Sequence, residues 1–117
     1  RALIADAILE RTDLRACFLL GVDLGKANLT GANLEKTHLG GAKLTGAVLV
    51  QARLQGADLR RTDLEHADLS KADLSGADLE GAKLAGAVLK ETILTNARLD
   101  SVDLSQADLS GAIGCKP

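Results

Sequence analysis

Residues 57–80 read ADLRRTDLEHADLSKADLSGADLE, which sets Asp58, Asp63, Asp68, Asp73 and Asp78 at a spacing of five. Such a run is either a binding device, a ladder of metal ligands or an acidic stripe, or a by-product of how the chain is built. The surrounding sequence favours the second. Leu occupies every fifth position from Leu9 to Leu109, 21 in succession, with Ile4 one step earlier. Two residues before each Leu the side chain is small: Ala in most repeats, otherwise Thr12, Cys17, Val22, Thr37, Thr62, Thr92 or Val102. Neither a helix period of 3.6 nor a strand period of 2 sustains this pattern over a hundred residues. A fixed internal repeat reads as a solenoid.

The geometry follows if the Leu is called position i. Positions i and i−2 are buried on one short extended segment, and the three polar or Gly positions between buried pairs force a turn. Equal turns in one sense close a polygon, and right-angle corners give four segments, or 20 residues, per coil. Nine of the twelve Gly fall at i+2, namely 21, 31, 41, 46, 56, 76, 81, 86 and 111. A type II turn wants a residue there that accepts φ > 0. The remaining corners carry larger side chains, so the turns are not expected to be equally strained.

The unit A-[D/N]-L-x-x, unaltered in Ala27-Asn28-Leu29, Ala32-Asn33-Leu34, Ala57-Asp58-Leu59 and Ala77-Asp78-Leu79, resembles the pentapeptide-repeat family over essentially the whole chain. The resemblance implies an all-β fold, a right-handed four-sided parallel β-helix of about five to six coils. One domain is expected over 1–117, with 113–117 as its C-terminal exit, where Gly114 stands in place of Leu. No Met occurs, so the sequence is expected to be a processed chain or a piece of a longer protein.

Composition narrows function. Phe18 is the one aromatic residue, apolar content is 46 %, and net charge is −2 with acids and bases interspersed. That pattern fits neither a nucleic-acid binder nor a strongly acidic surface. No apolar run is long enough to span a bilayer and no leader is visible, so no membrane partner is expected and the compartment defaults to the cytoplasm. Cys17, at i−2, is expected to be buried, with Cys115 roughly five coils away. At ~4.8 Å per coil that separation is about 24 Å, against the ~7 Å a disulfide tolerates. Cys115 is therefore read as free or bridging to a second chain. His38 and His66 fall on different faces, Ser70, Ser75, Ser101, Ser105 and Ser110 all project from a filled prism, and no metal or phosphate-loop spacing occurs. No catalysis, no metal and no cofactor are expected.

Residues 20 apart should stack on one face at strand spacing. One face then runs Asp23, Lys43, Asp63, Lys83, Asp103, an alternating charge ladder. A second runs Phe18, His38, Asp58, Asp78, Arg98, where His38 is expected to stack between Phe18 and Asp58 and to pair with Asp58, and Arg60, Arg61 and Arg98 to offset Asp58 and Asp78. A third runs Asp13, Asn33, Arg53, Asp73, Ile93. The fourth runs Ile8, Asn28, Val48, Asp68, Val88, Asp108, with Val50 beside Val48. Its apolar residues suit a sheet surface, the preferred reading, or form a docking stripe. At the N-terminal end Leu3, Ile8, Phe18 and Leu20 should point outward beside an unpaired edge, which another subunit or protein would cover.

The expected function is a non-enzymatic module presenting rigid faces to a protein partner, through Leu3, Ile8, Phe18, Leu20, Val48, Val50 and Val88, with a homodimer through the N-terminal end as one form. The family resemblance supplies an alternative, imitation of DNA to bind DNA gyrase. B-DNA carries one charge per ~1.7 Å, so a tower of about 25 Å needs roughly 15, and the net −2 argues against it.

Overall fold

A chain that turns every five residues must hydrogen-bond each corner to itself. The amide at i+3 donates to the carbonyl of i at every corner, from Ala7–Ile4 to Ala112–Leu109, at 2.9–3.3 Å. The i+2 residue takes φ between 56° and 72° from Asp6 to Gly111, Gln106 excepted, which is the type II turn expected. The computed structural model describes residues 4–114. Twelve of these left-handed corners carry side chains, Arg11, Gln51 and Lys71 among them. The backbone is thus uniform, and the strain expected to vary is accepted at most corners, at about 1–2 kcal/mol for each non-glycine residue.

Stacking of coils supplies the rest. Every i−1 residue from Ile8 to Ile93 forms a parallel bridge to the residue 20 later, Lys83 alone excepted. These are single-residue bridges rather than extended strands, because only i−1 lies flat on its face before the next corner begins. Four faces result: face A (Ile8, Asn28, Val48, Asp68, Val88, Asp108), face B (Asp13 to Ile113), face C (Phe18, His38, Asp58, Asp78, Arg98) and face D (Asp23, Lys43, Asp63, Lys83). The tower measures 36 × 23 × 21 Å. Leu24 to Leu94 are all buried with the Ala at i−2, while the end coils cover Leu9, Leu14, Leu99 and Leu104 only in part. Cys17 is half-buried rather than buried, since the first coil is covered on one side only. The hydroxyls of Thr37 and Thr92 donate to carbonyls of the preceding coil, Leu14 and Leu69. Thr62 differs and donates to Leu59, whose carbonyl its own turn brings within 2.8 Å.

Residues 59–63 show where the aspartates fit. The Leu59 amide donates to Asp78, Arg61 to Glu80, Thr62 to Leu59 and Asp63 to Ala42. The Arg60 amide, at i+1, has no backbone acceptor within this pattern, and Asp58 Oδ1 takes it at 3.1 Å. The same bond recurs at every Asp or Asn in the i−1 position, from Asp13 to Asp108. The carboxylates at 58–78 are corner caps spread around the tower. This changes the reading of face D: its charges alternate, but Lys43, Asp63 and Lys83 make no ion pair within 4 Å among the described residues. Asp63 turns back onto the Glu65 amide instead.

Corner side chains lean along the tower. A methyl added at Gly31, Gly46, Gly56, Gly81, Gly86 or Gly111 would meet Arg11, Lys26, Lys36, Arg61, His66 or Glu91, the corner residue one coil earlier. Glycine there admits both the left-handed backbone and the neighbour's side chain. The pattern lapses once: Lys83 and Asp103 are unbridged, and the Gly86 amide reaches Gln106, one residue beyond the regular register. A shallow depression of about 260 Å³ opens there, beside Glu65, Lys83, Ser101 and Asp103.

Two comparisons check this account by urea denaturation. Asp63→Asn, which keeps an oxygen for the Glu65 amide, should leave stability within about 0.5 kcal/mol, whereas Asp63→Ala should cost about 1 kcal/mol; equal losses would restore the charge ladder. Gly41→Ala, whose methyl meets nothing within 4 Å, should cost about 1–2 kcal/mol. Gly86→Ala, whose new methyl would sit 2.4 Å from His66 Nδ1, should cost about the same, because the exposed His66 ring can swing aside.

Candidate interaction surfaces

A filled prism has no interior for a ligand, so only its faces and ends offer chemistry. Among the described residues no group of His, Cys, Asp and Glu is placed to hold a metal ion, and no helix is long and apolar enough to cross a membrane. The hydroxyls of Ser70, Ser75 and Ser110 are each bound to the capping aspartate two residues before, at 2.6 Å.

The expected surface residues are dispersed rather than clustered. Leu3 lies outside the described residues, as does Cys115. Ile8 is 79 % exposed on face A, whereas Phe18 (79 %) and Leu20 (64 %) lie on face C. With four faces in sequence, A and C are opposite, so the N-terminal apolar residues form no single patch. Val48, Val50 and Val88 are half-buried in the wall of face A. They alternate along it with Asn28, Asp68 and Asp108, which suits sheet packing.

Face C is the most differentiated. Phe18 stacks on His38 with ring centroids 4.5 Å apart and planes within 6°, a contact worth roughly 0.5–1.5 kcal/mol beyond its area. His38 is thereby turned toward Phe18, and the expected His38–Asp58 pair does not form. Asp58 instead holds Arg60 in a two-pronged bond, 2.9 Å to Nε and 2.8 Å to Nη2. Arg98 reaches Asp78 at 3.2 Å and Asp100 at 2.9 Å. Arg61 takes no part in these pairs and lies over Gly81. Between Leu20 and Arg60 the missing side chain of Gly40 leaves a notch of about 300 Å³, floored by Gly41 and Asp58.

Hydrogen bonding sets the protonation of these groups. The Arg60 guanidinium holds the Asp58 carboxyl below its ordinary value. The Arg15 side chain does the same to Asp13, and bonds from Ser105 and Ser110 lower Asp103 and Asp108. The Arg60 guanidinium is raised in turn, chiefly by its bond to Asp58.

The charges were legible in sequence, but the corner caps and the Gly40 notch were not. The alternation of long residues with Gly at i+2, as in Lys26, Gly46, His66, Gly86, was a readable signal for the lapped side chains.

Similarity to known proteins agrees with this geometry. A family model described as pentapeptide repeats matches residues 7–46, 39–76 and 72–111, in 8 copies. No curated protein matches the chain in sequence. Among solved structures, a pentapeptide repeat protein from the Arabidopsis thaliana thylakoid lumen shares 24 % identity at a TM-score of 0.53, over 96 % of this chain and 61 % of that one. HetL, a pentapeptide repeat protein involved in heterocyst differentiation regulation in the cyanobacterium Nostoc, shares 34 % at a TM-score of 0.35, over 97 % and 60 %. A further Nostoc pentapeptide repeat protein shares 37 % at 0.39, over 93 % and 81 %. The chain therefore spans about three fifths of the length of the first two.

The capping aspartates predict an acid transition. A carboxyl lowered on folding adds stability above its unfolded pKa and withdraws it as pH falls through the folded value. Asp13, Asp58, Asp103 and Asp108 are all lowered, so the urea midpoint should stay level from pH 7 to about pH 5 and fall below about pH 4. A midpoint that rises on acidification would contradict the caps.

Proposed function

This chain belongs to the pentapeptide-repeat family, whose fold is the right-handed quadrilateral β-helix, and on that premise we propose that it is a non-enzymatic protein-interaction module. The tower offers a partner stiff, flat walls whose Asp and Asn residues are engaged in their own corners, with no cleft to gather reacting groups. The observation that carries the reading is the pair Phe18 and Leu20. Both are largely exposed on one face, and the stack on His38 holds the ring in place. An ordered aromatic group already displayed to solvent loses little freedom on binding, which is the character of an interface anchor.

The DNA-imitating alternative gains nothing from the faces. A tower of 36 Å matches B-DNA only with about 20 negative charges, and the net charge is −2. Inhibition of gyrase supercoiling at stoichiometric concentration would reverse this judgement.

The docking reading is tested by affinity capture with the immobilised chain. Phe18→Asp with Leu20→Asp should lose the captured protein, while Val48→Asp on face A should retain it. Retention by the first variant, with its melting temperature unchanged, would remove face C from the proposal.

A further inference from the structure

Face C carries two outward columns, the i−1 residues Phe18, His38, Asp58, Asp78 and Arg98 and the i+1 residues Leu20, Gly40, Arg60, Glu80 and Asp100. We propose that this face pairs with itself, joining two copies of the chain side by side with their towers parallel. The inference rests on the reading of face C as a docking surface and names a second copy as its occupant.

A two-fold axis along the tower sets each i−1 residue opposite the i+1 residue of the same row in the other copy. In the first row Phe18 then meets Leu20, which removes from water two of the most exposed apolar side chains of the tower. In the second row His38 faces Gly40, which has no side chain, beside Leu20, whose Cδ2 lies 3.2 Å from where a Gly40 methyl would be. In the third, Asp58 faces Arg60 and Arg60 faces Asp58. In the fifth, Arg98 faces Asp100 and Asp100 faces Arg98. Only the fourth row opposes acids, Asp78 to Glu80. Guanidinium groups already flank it from above and below: Arg60 lies 4.0 Å from Asp78, and Arg98 lies 3.2 Å from Asp78 and 3.8 Å from Glu80. Four carboxylates would meet four guanidinium groups across the seam.

The antiparallel alternative fails on the same residues. It opposes Asp58 to Asp58, Arg60 to Arg60 and Leu20 to Asp100. The other faces are less self-complementary. Face A has an apolar row, Val48 with Val50, but no exchanged ion pair. Face D sets Asp63 against Glu65, and face B has one exchanged ion pair, Asp13 with Arg15, where face C has two and an apolar row.

Size sets the strength. Five rows at ~4.8 Å on a tower about 21 Å across give roughly 500 Å² per copy, below the ~800 Å² of a standard interface. The pair is therefore reversible and concentration-dependent.

Sedimentation equilibrium of the 117-residue chain decides the matter. The weight-average mass should rise from 12.1 kDa toward twice that value as protein approaches the millimolar range, and Phe18→Asp with Leu20→Asp should remain monomeric. Arg60→Glu alone and Asp58→Arg alone each place like charges across the seam and should also be monomeric. Mixed in equal amounts they should associate, which shows at once that both remain folded. A wild-type chain that stays monomeric, an unaffected apolar variant, or a mixture that does not associate overturns the pairing. Each of these results leaves the capture experiment of the preceding section free to succeed or fail by itself.

Discussion

One amide in five cannot be satisfied by stacking coils. Four N–H groups of each repeat find carbonyls, two in the coil that follows, one in the coil before and one inside the corner. The fifth, at i+1, points along the turn with no backbone acceptor. A short side chain with an acceptor oxygen three bonds from its Cα reaches it, and Asp and Asn are the residues that have one. The aspartates at 58, 63, 68, 73 and 78 are thus where a peptide group would otherwise depend on water. Where the i−1 residue is His38, Val48, Val88 or Arg98, that oxygen is missing and the corner amide is left to other partners. At those positions the whole side chain is available for other work.

This division explains why face C stands apart. Phe18, His38 and Arg98 occupy i−1 positions that cap nothing, so ring stacking and long ion pairs become available. Asp58 does both, accepting the Arg60 amide with one oxygen while its carboxylate grips the Arg60 side chain. Face A uses its uncapped positions differently. Val48 and Val88 fold into the wall, half-buried, and offer little to a partner.

Much of the tower could be read from one column of letters. The Leu at every fifth residue set the period, and the sign alternation of Asp23, Lys43, Asp63 and Lys83 pointed to a 20-residue coil, which the bridges bear out. What that alternation does not bring is ion pairing. A carboxylate engaged by its own corner is held back from the next coil, and only the hydrogen-bond inventory reveals this. The N-terminal apolar residues looked adjacent for the opposite reason: Ile8 and Phe18 are ten apart, which is half a coil and therefore opposite sides. The missing Lys83–Asp103 bridge had no signal in the sequence, since Val102, Asp103 and Leu104 fit the repeat as well as their neighbours do.

The lapping of corner side chains over glycines has a bearing on how such a tower can lengthen. In one corner column a long residue alternates with a glycine directly above it, Lys26 with Gly46 and His66 with Gly86. Faces A and D keep the same beat, Val48 with Val88 and Lys43 with Lys83. Residues 41–50, GAKLTGAVLV, and 81–90, GAKLAGAVLK, differ at two positions only. Copying a single coil would stack glycine on glycine or bulk on bulk at these columns. Copying two keeps the alternation, so lengthening in double coils of forty residues suits this side of the tower.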